Sequence, residues 1–300
     1  MSGWALAAVP SLAGGGITLN VTFFGVRGST PCPCDANRRY GGNTACVALE
    51  VAGQDPIVLD LGTGLRFWGQ TQPVDGSFRG TALVTHLHWD HVQGLPFFVP
   101  VDRPGARLDV YGPRQEEGSL AEVFDEFMRP PYFPVRASEL RGTIAFHELD
   151  DADFSVGEAK VRVRSVPHCG PTNGYRIEWD GATVAYISDH QAPADGSMSV
   201  TDGVLELCDG ADLLIHDAQY TLAEWGPRAH WGHCTVDYAV EVARQAGVKR
   251  LAMFHHDPSH SDDTLDRLLL EARSVAAGSG IEEVVAASEG LTIAMTSRTW

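Results

Sequence analysis

Basic residues are scarce in this chain: 22 Lys and Arg stand against 39 Asp and Glu in 300 residues, a formal net charge of −17. A surface that tracks a nucleic-acid backbone would have to gather most of those few cations in one place, so a long RNA or DNA partner is disfavoured. The acidity excludes little else, because carboxylates that hold divalent cations are neutralised in the loaded protein. Apolar runs approaching the roughly 18 residues of a membrane-spanning helix are also missing, and no membrane span is expected. The six cysteines (Cys32, Cys34, Cys46, Cys169, Cys208 and Cys234) form neither a dense framework nor the paired spacing of a structural zinc site. A reducing, cytoplasmic setting follows, with Cys32-Pro33-Cys34 read as a Pro-rich loop. The opening MSGWALAAVPSLAGGG lacks the cationic start of a signal peptide and is interrupted by Pro10, so residues 1–16 are expected to be a disordered leader.

Hydrophobic residues make up 44% of the chain, enough for one sizeable core. After Gly14-Gly15-Gly16 no Pro/Gly/Ser tract is long enough to separate independent units, and a single domain is expected over 17–300. β-Branched and apolar runs bounded by Gly, Pro and Asp predict strands at 17–25, 44–51 and 56–62, then at 81–86, where TALVTH ends on a His, and at 108–113. A helix is expected around 116–128, with Leu120, Val123, Phe124 and Phe127 at helical spacing. The second half is expected to open with a meander of strands at 143–148, 159–166, 173–179 and 182–187, whose Asp180-Gly181 pair marks a two-residue hairpin. A strand at 212–216, a helix over 235–246, a strand at 250–255 and a helix near 262–277 complete the pattern. The fold class this predicts is α/β, a four-layer αββα sandwich of two mixed sheets with helices outside.

The segment THLHWDH sets His86, His88, Asp90 and His91 within six residues at the end of an apolar strand. Alternation at a strand end or tight turn can aim such side chains at one point, and imidazoles with a carboxylate suit Zn, Mn or Fe. So many ligands in so short a span suggest two adjacent metals.

HxHxDH resembles the signature of the metallo-β-lactamase superfamily, and further motifs follow in that family's order along nearly the whole chain. Asp60 in LDLGTGLR resembles the structural Asp that supports the metal loop. His168 in VPHCGPTNGYRIE, Asp189 in VAYISDH and His255 in RLAMFHHDPSH resemble the remaining ligands. The resemblance implies that His86, His88 and His168 hold one metal, that Asp90, His91 and His255 hold the other, and that Asp189 bridges them. Such a pair lowers the pKa of a shared water and clamps the attacking and leaving oxygens of a displacement, so hydroxide serves as nucleophile. His255 and His256 would face opposite ways if the strand continued, so only one can be a ligand. The family's offset from the strand selects His255, leaving His256 as a supporting or substrate-facing group.

HDAQY (216–220) and WGHCT (231–235) resemble two segments of the ribonuclease Z and cyclic-phosphodiesterase branch. They imply that Asp217 orients His233, which stabilises an oxyanion or donates a proton to a leaving alkoxide; a helix-capping role for His233 is the plainer alternative. Arg27, Ser29, Asn43 and Thr44 lie in Gly-rich loops where guanidinium and amides could meet phosphate oxygens, and turn chemistry explains them equally well. MRPPYFPV (128–135) and Trp89 offer aromatic faces to a base, although such residues are more often core.

These residues predict a dinuclear metal-dependent hydrolase, with zinc favoured over Mn or Fe, acting on a small cyclic phosphodiester such as a cyclic nucleotide or a ribosyl cyclic phosphate. The same metals could open a carboxylic ester, lactone, lactam or thioester. A tRNA 3′-processing endonuclease fits less well, because 101–147 carries Glu116, Glu117, Glu122, Asp125 and Glu126 rather than a basic arm. Whether two chains pair as a homodimer is left open by the sequence.

Overall fold

The computed structural model describes residues 18–296; the expected leader lies outside them. Among these residues, strands β1 (Thr18–Gly25), β2 (Cys46–Glu50), β3 (Ile57–Leu59), β4 (Arg79–Leu83), β5 (Arg107–Pro113) and β6 (Thr143–Leu149) belong to a first sheet. Strands β7 (Ala152–Val156), β8 (Ala159–Ser165), β9 (Asn173–Trp179), β10 (Ala182–Ile187), β11 (Leu213–Asp217), β12 (Arg250–Phe254) and β13 (Glu283–Ala286) form a second, and β14 (Thr292–Thr296) returns to the edge of the first. The orders are β14-β1-β2-β3-β4-β5-β6 and β13-β12-β11-β10-β9-β8-β7. The helices are α1 (Leu65–Trp68), α2 (Trp89–Val92), α3 (Leu120–Phe127), α4 (Asp202–Cys208), α5 (Leu222–Trp225), α6 (Val236–Gln245) and α7 (Asp262–Ala276).

Strict alternation buries every second residue of β1, and the two inner faces meet in a shared core that includes Leu19, Val21 and Phe23 from one sheet and Tyr175, Ile177 and Val184 from the other. The outer face of the second sheet is covered by α4, α6 and α7, and that of the first by α1, α3 and the loops around Trp68, Phe78 and Phe98. Both sheets mix parallel with antiparallel pairs, so the four-layer αββα sandwich stands. The cap signals act locally: Ser119 and Glu122 make a capping box on α3, and the side chains of Thr235 and Ser261 cap α6 and α7.

Two strand expectations need correction. Residues 143–149 do not open the second-half meander but pair in parallel with β5 at the edge of the first sheet. The meander instead begins with β7, a short strand of half-buried and exposed residues paired with β8, too weakly patterned to be read from sequence. The strand expected to end on His86 stops at Leu83, and His86 lies in the loop beyond it.

Candidate metal centre

In the second sheet β10, β11 and β12 run parallel, with Ile187 beside His216 and Asp217 beside Phe254. Three consecutive strands therefore end side by side, and the residues at or just past their C-termini, Asp189, Asp217 and His255, share one edge. The first sheet contributes the loop after β4, with His88 at the N-cap of α2 and Asp90 and His91 in its only turn. Both sheets thus end at the same cleft.

The two oxygens of Asp189 face different imidazoles. Oδ1 is 3.2 Å from His91 Nε2 and 3.3 Å from His255 Nε2, whereas Oδ2 is 3.7 Å from both His86 Nε2 and His168 Nε2. His88 Nδ1 lies 2.8 Å from His86 Nε2 and 3.2 Å from His168 Nε2, and Asp90 Oδ2 lies 3.1 Å from His255 Nε2. His86, His88, His168 and Asp189 therefore form one potential metal-holding group, and Asp90, His91 and His255 a second.

Four of these rings have their Nδ1 engaged elsewhere. His91 Nδ1 donates to Asp60 (2.8 Å), His168 Nδ1 to the Gly232 carbonyl (2.7 Å) and His255 Nδ1 to Gln219 Oε1 (2.8 Å). Thr85 Oγ1 lies 3.0 Å from the Asp60 carboxylate, which takes its proton, and so accepts from His86 Nδ1 at 3.1 Å. Each Nε2 is left with a lone pair directed at the cluster. His91 Nε2 and His255 Nε2 are 3.3 Å apart, and the buried Asp189 Oδ1 has no hydrogen-bond donor. Acceptors converging on acceptors require cations between them, so this donor set fits divalent metals. Electrostatics agree. Burial opposes charge on His91, but Asp90, Asp189 and Asp60 outweigh it and hold its pKa well above the ordinary value: these carboxylates demand a positive charge at this point, which a proton on His91 meets without a cation and a bound cation would meet in its place. Burial would likewise raise Asp189, but His255, His91 and His86 pull it well down, so the carboxylate is ionised.

Asp60 acts as a hub: it accepts from Thr85 N (2.7 Å) and from the Tyr186 hydroxyl (2.8 Å) as well as from His91. Backbone strain gathers here. Ser29, Asp60 and His255 have φ of 61°, 58° and 56°, in the left-handed region that non-glycine residues seldom occupy. That conformation ends β12 and turns His255 into the cluster. A Cβ on Gly28 would strike the His255 ring and one on Gly232 the His168 ring, so both loops require glycine.

His233 lies at the same cleft with Nδ1 2.9 Å from Asp217 Oδ2. Asp217 is fully buried and also accepts from the backbone of Gln219 and His190. Burial lowers the pKa of His233, but Asp217, Asp189 and Asp90 more than offset this and raise it to about 9. Thr235, not His233, caps α6. The pocket in front of these groups, about 460 Å³, is lined by Ser29, His88, Trp89, Asp90, Asp189 and His233.

The remaining expected substrate contacts need correction, apart from Ser29, whose N–H donates to Asp90 Oδ2 at 2.6 Å. Arg27 is wholly buried and donates to the carbonyls of Gly41, Asp257 and His260, tying three loops together. Asn43 serves through its backbone, its N–H meeting Glu289 and its carbonyl Val26 and Arg27, and does not line the pocket; Thr44 is buried against Thr63. His256 is buried behind the cleft, Nε2 against the Ala287 carbonyl and its ring edge-on to Tyr40, so it faces core rather than substrate. Sequence reasoning missed Thr85, Gln219 and Tyr186 as supports. All three sit inside the quoted motifs, in THLHWDH, HDAQY and VAYISDH, but nothing local shows that Tyr186 reaches Asp60 in another sheet.

Residues 58–256 match the family described as beta-lactamase superfamily domain, and the chain belongs to it. It is a metal-dependent hydrolase of the metallo-β-lactamase fold. Ribonuclease Z of Ignicoccus hospitalis is 29% identical over 262 residues, covering 73% of this chain and 83% of that protein. Among solved structures, the metallo-β-lactamase fold protein YhfI from Bacillus subtilis superposes with a TM-score of 0.69 at 19% identity, covering 93% of this chain and 100% of that one. A diphosphatase of the PhnP family gives 0.66 at 20% identity, covering 93% and 98%. Among the described residues no helix is long and apolar enough to cross a membrane.

Proposed function

We propose that this chain is a phosphodiesterase acting on a small phosphodiester, a cyclic nucleotide or ribosyl cyclic phosphate being the class that fits best. His86, His88, His168 and Asp189 would hold one divalent cation, and Asp90, His91, His255 and the same Asp189 the other. Zinc suits the imidazole-rich donors best, with manganese or iron as alternatives. The cations would supply Lewis acidity and a water of lowered pKa. The observation that carries the reading is His233, held by Asp217 at 2.9 Å beside the pocket. A protonated imidazole there can donate to a ribose alkoxide, a leaving group that departs poorly without a proton. Asp90 orients the loop by accepting from Ser29.

The name ribonuclease Z, carried by the Ignicoccus relative, supports phosphodiester chemistry. Charge argues against a long RNA. Over 101–147 six arginines stand against eight acidic residues, and four of the six are ion-paired: Arg107 with Asp109, Arg114 with Glu148, Arg129 with Glu126 and Arg141 with Asp102. Little free positive charge remains to grip a backbone. A cytoplasmic setting rests on the six cysteines, all free thiols.

The test is turnover of a cyclic nucleotide panel and bis(p-nitrophenyl) phosphate against nitrocefin and a simple lactone, with metal content measured on the same preparation. Diester hydrolysis alone is expected. Lactone or nitrocefin hydrolysis without diester turnover would move the assignment to carbonyl substrates.

A further inference from the structure

Beside the metal centre lies a second, larger cleft of about 510 Å³. One wall is the segment that carries the metal-loop histidines, contributing Leu87, Trp89 and Val92. The opposite wall is the apolar face of α3, with Val123 and Phe127, and Tyr132 stands at the mouth. Leu87 and Trp89 line both this cleft and the pocket in front of Asp189 and His233, so the two spaces are continuous across the Trp89 ring. Trp89 is 72% exposed and Tyr132 78% exposed. Large aromatic side chains held in solvent beside buried Asp90 and His91 are not core, and the fold gains nothing from keeping them uncovered. Polar groups are few. Besides the Trp89 N–H and the Tyr132 hydroxyl they are Gln93 and Glu126, and Glu126 is engaged by Arg129. Among the lining residues no cation is available for a further phosphate, and a carboxylate stands where one would come.

We propose that this cleft is the subsite for a single planar aromatic group carried by the substrate, the base of a cyclic nucleotide or the aryl group of an aryl diester, without further negative charge. This rests on the phosphodiesterase reading and adds substrate class to it. A phosphate seated between His88 and His233 would place the aromatic group of the same substrate across Trp89, where the lining is aromatic and aliphatic and includes no basic residue. An aryl or base-like group that stacks there covers aromatic and aliphatic surface otherwise left facing water. A polynucleotide extension does not.

Two measurements test the subsite. In the first, phenyl phosphate and ethyl phosphate are titrated calorimetrically into the metal-loaded protein. The aryl ester is expected to bind more tightly by on the order of tenfold. In the second, p-nitrophenyl phenyl phosphate and p-nitrophenyl ethyl phosphate, which share a leaving group, are compared by kcat/KM, with a similar preference expected. Val123→Glu and Tyr132→Ala lie outside the metal centre and should erase both preferences while leaving the ethyl ligands within about twofold of wild type. Equal binding of the two monoesters, or variants that weaken both alike, would overturn the subsite. So would a wild-type dimer, seen by sedimentation, that Val123→Glu dissociates without changing the aryl preference, since the cleft would then be covered by a second copy. Aryl-selective binding abolished by the variants, with neither diester turned over, would keep the subsite and refute the phosphodiesterase reading.

Discussion

Replacing Asp217 by Asn removes the carboxylate that faces His233 Nδ1 at 2.9 Å while leaving a group of the same shape. In the native protein burial disfavours a charged His233, yet its pKa stands at about 9 against an ordinary value of 6.5, with Asp217 the largest favourable contribution. With cations held by Asp189 and Asp90, Asp217 is the carboxylate left to support the imidazolium. Asp217 thus keeps the acid present to higher pH than a free imidazole would, and it is lost as pH rises through that raised pKa. Without Asp217, burial acts unopposed and the limb moves toward acid. Even at the ordinary value only about one tenth of the imidazole is protonated near pH 7.5, so kcat should fall by about tenfold or more there and recover toward pH 6. His233→Ala should cost about 10²–10⁴-fold at every pH below that limb, the usual range for a general acid, and less above it. Both losses should shrink for a p-nitrophenolate leaving group and persist for a ribose alkoxide. The double variant should be scarcely worse than His233→Ala, because the two act as one unit. The assay is kcat against pH for a cyclic nucleotide and an activated diester, with metal content in parallel. Equal losses for both leaving groups, or a pH limb that does not move in Asp217→Asn, would refute proton donation. Loss of metal would make His233 a ligand.

Asp189→Ala removes the carboxylate whose two oxygens face the imidazoles of both groups, and metal analysis should find less than half the native content with activity lost; full retention would sink the bridging role. His255→Ala should lose metal and activity, whereas His256→Ala, which empties a buried site against Ala287, should keep the metals and lower stability by about 1–3 kcal/mol on thermal unfolding. Glu224 is raised by burial but lowered more by hydrogen bonds from His260 and Thr221, to about 2 from an ordinary 4.5. Its contribution to stability is therefore complete above about pH 4.5 and lost as pH falls toward 2, and acid titration of Glu224→Gln should lack that component.

Much of the molecule was legible in one dimension because its signals are local. Alternation in β1, the Asp180-Gly181 turn and the capping box of α3 act over two to eight residues, where neighbours alone decide conformation. His86, His88, Asp90 and His91 were equally visible, since six consecutive residues cannot scatter far. Pairing was not local. Strand 143–149 has the composition of a meander member, yet its partner is β5, and β14 closes the first sheet beside β1, more than 260 residues away. Arg27, in a Gly-rich loop, and His256, beside the last ligand, were each open between a structural and a substrate-facing place, and the fold buries both. The direction of a side chain at a loop depends on which strands lie beside it. The left-handed turn at His255 sends that ring into the cleft and leaves His256 in the core, and neither residue's chemistry distinguishes it from its neighbour. The tautomers were decided the same way. Asp60, Gln219 and the Gly232 carbonyl each reach a histidine from at least 31 positions away, so only the closed sandwich aims four Nε2 lone pairs at one place.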